Sequence, residues 1–128
     1  MKTAKLALFL VSFTCLTNAA VKAADRSLTF GVIAKANNNP VFQVVRVSAE
    51  AEARKLTAET GVQVKIDWRT PTEEDPQKQA EAIEQLVNIG ASGIAVSCSD
   101  ANKLTPAIDD AVARGVPVVT FDSDAPGS

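Results

Sequence analysis

The chain has 128 residues, 46% hydrophobic and 22% charged, with 13 Lys and Arg against 15 Asp and Glu and no histidine. This is an ordinary globular composition with room for one domain of modest core. Its slight acidity and lack of any basic run argue against nucleic acid or anionic lipid as partner, and the missing histidine removes the commonest general base and metal ligand.

Met1 to Lys5 forms a basic n-region, Leu6 to Leu16 an apolar core, and Asn18 to Ala24 a small-residue exit where Val21-Lys22-Ala23 fits a cleavage rule. Residues 1–23 therefore read as a secretory signal peptide, with an apolar core too short to span a membrane. The mature domain is 24–128, with no membrane insertion after cleavage. Ser12-Phe13-Thr14 before Cys15 is a poor lipoprotein match, so Cys15 leaves with the leader. Loss of Lys2, Lys5 and Lys22 leaves ten bases against fifteen acids, a balance of −5. Cys98 is then the one cysteine, which forbids an internal disulfide. It has no His partner, and no G-x-S-x-G elbow occurs, so it reads as a small, half-buried residue at a strand end.

The first strand is predicted over Leu28 to Ala34. A polar turn, Lys35-Ala36-Asn37-Asn38-Asn39, leads to Pro40, which suits the first position of a helix. Without a G-x-G-x-x-G, the turn is no dinucleotide site, and no cofactor is expected. Val41 to Val47 is β-branched enough for a strand, but Ser48-Ala49-Glu50-Ala51-Glu52-Ala53 decides for helix. Val45, Ala49, Ala53 and Leu56 share its inner face, and Gly61 stops it.

Val62 to Trp68 alternates apolar and polar residues, the mark of an edge strand with one wet face. Asp75-Pro76 starts the second helix, with Ala80, Ile83, Leu86 and Val87 inward and Gly90 at its end. Gly93 to Ser97 and Val116 to Phe121 are apolar runs, read as strands covered on both faces. Between them Asp100 or Thr105 caps a helix with Leu104, Ile108, Ala111 and Val112 inward, closed by Gly115 and Pro117.

Strand–helix alternation with right-handed crossovers predicts an α/β fold. Its doubly wound parallel sheet has order 2-1-3-4 in a three-layer αβα stack, with the first helix alone on one face. Order reverses between strands 1 and 3, and the loops Lys35–Asn39, Ser97–Asp100 and Asp122–Ser128 converge at that switch point. The fourth strand is left as an open apolar edge, with sheet uncovered beside it. The expectation is therefore the N-terminal part of a longer protein.

Taken together, the leader, Lys35-Ala36-Asn37-Asn38-Asn39-Pro40-Val41-Phe42, Pro71-Thr72-Glu73, Ala91-Ser92-Gly93-Ile94 and Gly115-Val116-Pro117-Val118-Val119-Thr120-Phe121-Asp122-Ser123-Asp124 resemble periplasmic sugar-binding proteins of ABC importers. Within them the chain looks closest to the ribose-binding-like group, especially its rhamnose- and autoinducer-2-binding members. The resemblance implies two doubly wound lobes closing on a sugar in the periplasm, a membrane permease as partner, and no enzymatic activity. It also implies ligand contacts from Lys35, Asn39, Phe42 and Asp122. Two departures stand out from ribose binders: Val41 precedes Phe42 where they tend to have paired aromatics, and Ser123 replaces an arginine.

Each candidate has a structural alternative. Asp122 can accept two hydroxyl protons in charge-assisted bonds, or cap a turn. Asn39 can face a hydroxyl pair or serve as N-cap to Pro40. Lys35 offers three ammonium donors, or is a solvated strand-end lysine. Phe42 can stack on a sugar ring or pack in the core. Asn37, Asn38, Ser97, Asp100 and Asp124 are rim candidates that also suit turns. Trp68 reads as edge packing. Rival functions are a sensor presenting a sugar or autoinducer to a chemoreceptor and, on Asp122-Ser123-Asp124, an aspartate-dependent phosphatase. The latter lacks its usual strand order and any further catalytic lysine.

Overall fold

The computed structural model describes residues 27–128. The expected leader lies outside them. In chain order the elements are β1 (Ser27–Ile33), α1 (Pro40–Thr60), β2 (Gln63–Trp68), α2 (Pro76–Asn88), β3 (Gly93–Val96), α3 (Ala101–Ala113) and β4 (Val118–Thr120). All strand pairs are parallel and the sheet order is β2-β1-β3-β4, as the alternation of the second strand against the apolar runs of the other three predicts.

Helix starts follow from capping chemistry. Asn39, Asp75 and Asp100 each accept a backbone N–H from the first turn of α1, α2 and α3, which settles the α3 cap on Asp100 rather than Thr105. Thr105 instead donates its hydroxyl to Ala101 O, one turn back. Gly61 at φ 71 ends α1 in the left-handed conformation that glycine reaches without a Cβ clash.

Strand alternation sorts the core into two layers. Ile33, Ile94 and Val96 point toward α2 and α3, joining Ile83, Leu86, Leu104, Ile108 and Ala111 in one buried cluster. Val32 and Ala34 alternate to the opposite side of β1, where α1 contributes buried Phe42 and Ala53. Burying a side chain such as Leu86 or Ile83 stabilises by roughly 1.5–3 kcal/mol, so the α2–α3 layer dominates.

Three expectations are corrected. Val112 is 55% exposed, because only Leu104, Ile108 and Ala111 lie on the arc of α3 that meets the sheet. Val119 is 62% exposed, so the apolar run of β4 does not mean cover on both faces: Val118 packs against the core cluster, and the other side is open among the described residues, in keeping with the expected uncovered sheet beside this strand. Cys98 is buried at 4% exposure rather than half-buried.

At Gly31 the sheet packs tightly against α2. A Cβ there would collide with both terminal methyls of Leu86, itself fully buried and unable to swing away. Gly31→Ala is expected to cost about 1–3 kcal/mol of unfolding free energy, measured by urea denaturation. An unchanged midpoint would mean that α2 yields at this contact.

Candidate functional site

β1, β3 and β4 release their chains at one end of the sheet, and the first residues past each strand meet there. Lys35 Nζ lies 3.3 Å from Asp122 Oδ2 and donates to Ser123 Oγ. Ser97 Oγ, fully buried, donates to the same Oδ2 at 2.8 Å, and Ser123 Oγ approaches it at 3.4 Å. Oδ2 thus gathers contacts from all three loops. Oδ1 has no hydrogen-bond partner among the described residues, and half of the Asp122 side chain is exposed.

The backbone aims this carboxylate. Ser123 N donates to Phe121 O at 2.6 Å across a three-residue turn, with Asp122 at φ 60. Such a conformation costs a non-glycine residue on the order of 1–3 kcal/mol, and Asp is among the few that tolerate it. Ser123 O in turn accepts from Cys98 N at 3.1 Å, fastening the turn to the exit of β3. Thr120 to Asp124 line a shallow concavity of about 210 Å³. That is below the roughly 300–1,000 Å³ of enclosed ligand pockets, the size of one wall of a site.

The loop after β1 is braced against its neighbours. Ala34 N donates to Thr70 Oγ1 at 2.8 Å, Asn37 N to Pro71 O at 2.7 Å and Asn38 N to Thr72 O at 3.3 Å. Asn37 Oδ1 accepts from Gln43 Nε2 at 2.9 Å and Trp68 Nε1 at 3.2 Å. Trp68 is therefore a loop brace as well as an edge residue, with the Arg46 guanidinium 5.9 Å above its ring.

Of the nine residues expected at the site, Lys35, Ser97 and Asp122 come together. Asn37 is occupied by its two donors, and Asn38 and Asn39 are exposed, the latter's Oδ1 held by Val41 N at 3.0 Å. Phe42 is 5% exposed, its ring enclosed on α1. Asp100 caps α3 beside Lys103, and Asp124 Oδ1 accepts from Thr120 Oγ1 and Ala125 N in its own turn. Sequence reasoning missed Ser123 and Gln79. Gln79 was detectable as a polar residue at helical spacing from Ile83 and Leu86, inside a stripe otherwise apolar.

The Ser97 hydroxyl first, and then the Lys35 ammonium, hold the Asp122 carboxyl below the usual carboxylate range, against a small burial penalty. Burial pushes the Cys98 thiol up, with Asp124 adding to the effect and Lys35 opposing it.

An open parallel sheet carrying a fixed carboxylate, an ammonium and hydroxyls at its switch point has polar groups where ligands bind in such folds. Residues 30–128 match the periplasmic binding protein domain, and the chain belongs to that family. It is 31% identical over 100 residues to the ribose import binding protein RbsB of Bacillus subtilis (strain 168), covering 78% of this chain and 30% of that protein. Among solved structures it resembles LsrB from Clostridium saccharobutylicum in complex with AI-2, at 30% identity and TM-score 0.63, over 76% of this chain and 28% of that one. It also resembles AraP, an arabinose binding protein from Geobacillus stearothermophilus, at 28% identity and TM-score 0.70, over 80% and 33%. The chain thus spans 28% to 33% of the length of these relatives.

Because the folded-state value of Asp122 is depressed, its stabilising contribution is complete above about pH 4 and is lost as pH falls through the lowered value. Ser97→Ala is expected to move the Asp122 midpoint up toward the ordinary carboxylate range, read by carboxyl ¹³C NMR titration. A midpoint that stays put would show that the Ser97 hydroxyl does not hold Oδ2.

Proposed function

We propose that this chain contributes to a solute receptor of an ABC importer, capturing a sugar or sugar-like molecule reversibly and without chemistry. The observation that carries this reading is the Asp122 carboxylate, one oxygen anchored by Ser97 and Lys35 and the other without a partner among the described residues. A carboxylate so held accepts a hydroxyl proton in a charge-assisted bond without reorganising, and the Lys35 ammonium can donate to a neighbouring hydroxyl oxygen. Relatives named for ribose, arabinose and AI-2 support the class of ligand.

In this reading Lys35 and Asp122 grip the ligand. Ser97 orients Asp122, and Asn37, Asn38, Asn39, Phe42, Asp100 and Asp124 shape the rim and the elements behind it. The leader at 1–23 carries the protein to the periplasm, where a membrane permease receives the loaded receptor. The second reading, a sensor that presents its ligand to a signalling receptor, uses the same site. The phosphatase reading finds no support in Asp124, whose Oδ1 caps its own turn.

Thermal unfolding of the full chain with D-ribose, D-arabinose, D-allose, L-rhamnose and AI-2 tests the proposal. A cognate ligand at a hundred times its Kd should stabilise by about 2.7 kcal/mol. Asp122→Asn, which keeps a side chain tolerant of positive φ but removes the charge, should abolish most of that shift. If none of these ligands, nor a wider set of pentoses and deoxyhexoses, raises the transition, sugar capture is the wrong function.

A further inference from the structure

Gln79 is the polar residue of α2 that lies wholly in the core, at 0% exposure. Its amide makes all four hydrogen bonds that a glutamine offers without bifurcation. Nε2 donates to Ala34 O at 3.0 Å and to Ser97 O at 2.8 Å, while Oε1 accepts from Ser99 N at 3.1 Å and from Ser99 Oγ. These partners sit where pairing between β1 and β3 runs out. The last registered pair is Ile33 with Val96, and the bond from Ser97 N to Ile33 O follows it. One step further, Ala34 and Ser97 are both fully buried, and their carbonyls need donors that neither strand supplies. Gln79 supplies both from a single planar group, so the separation of the two strand exits is set by the width of one amide.

Lys35 directly follows Ala34, and Ser97 carries the hydroxyl that holds Asp122. We infer that Gln79 is a positioning residue for ligand capture: by bridging the exits of β1 and β3 it fixes where Lys35 and Ser97 stand relative to Asp122, and so sets ligand affinity. This rests on the proposed sugar-capture reading, but the geometric part can be read without any ligand. The charged group facing Asp122 is Lys35, with Ser97 and Ser123 as the neutral donors.

Two variants of the full chain decide it. Gln79→Met keeps the length and volume and removes every hydrogen bond, whereas Ser99→Ala removes only the hydroxyl bond to Oε1. For each, the Asp122 midpoint is read by carboxyl ¹³C NMR well below the melting temperature, and D-ribose, D-arabinose, D-allose, L-rhamnose and AI-2 are titrated calorimetrically. Gln79→Met is expected to raise the Asp122 midpoint toward the ordinary carboxylate range and to weaken whichever ligand the parent binds by roughly tenfold or more. Ser99→Ala should shift both in the same direction by less. Should the variants lose thermal stability while the Asp122 midpoint and the affinity stay at parental values, Gln79 is a core brace only and the inference is overturned. If Gln79→Met does not fold, Ser99→Ala decides alone. If the parent binds no ligand of the panel, the sugar reading falls, and the Asp122 midpoint by itself decides the role of Gln79.

Discussion

A parallel sheet whose connections leave on opposite faces must part at one pair of strands, and here that pair is β1 and β3. Everything at the site depends on how the parting is managed. Beyond Ile33 and Val96 the ladder ends inside the core, and the freed backbone groups must be met by side chains or forfeit the cost of a buried, unpaired polar atom. The protein meets them with Gln79 from α2, while on the β2 side the Thr70 hydroxyl takes Ala34 N. No buried side-chain nitrogen or oxygen among the described residues is left without a partner. The root of the crevice is therefore fully hydrogen-bonded while its rim is open.

The electrostatics follow the same division. The Lys35–Asp122 pair is partly solvated on one side and half exposed on the other, a setting in which ion pairs contribute little to folding. What fixes Asp122 is the geometry around the charge: the Ser97 hydroxyl from the buried strand end, and the turn closed by Ser123 N and tied to Cys98 N. A charged group held rigidly yet left in contact with solvent serves stability poorly. It suits the proposed recognition, in which a hydroxyl-bearing ligand would meet donors and acceptors already in place.

Much of this was legible in the sequence. Apolar runs located the strands, Pro40 and Pro76 behind Asn39 and Asp75 located helix starts, and the alternation of β2 against the apolar runs of its neighbours yielded the strand order. The meeting of Lys35, Ser97 and Asp122 follows from that order, since each is among the first residues past its strand. Which asparagines and aspartates turn inward did not follow. Asn39, Asp100 and Asp124 satisfy nearby backbone N–H groups as readily as a ligand would be satisfied, and only the fold arbitrates. Gln79 was hidden for the opposite reason: apolar periodicity treats glutamine as a solvent residue, although a buried amide with four partners is as much at home in the core as leucine. Val112 misled because it lies at the margin of the α3 arc set by Leu104, Ile108 and Ala111, roughly 80° around the helix from Leu104.

The positive φ of Asp122 has a consequence for how this position can change. Glutamate would keep the charge but resist the turn, glycine would keep the turn but lose the oxygens, and asparagine keeps the shape while surrendering the negative charge. Backbone and chemistry are thus locked into one choice, and a substitution at 122 gives up either the turn or the charge that the proposed capture uses. On the proposed reading, a change of solute would fall to the surrounding rim, where exchanges leave the turn at 122 intact.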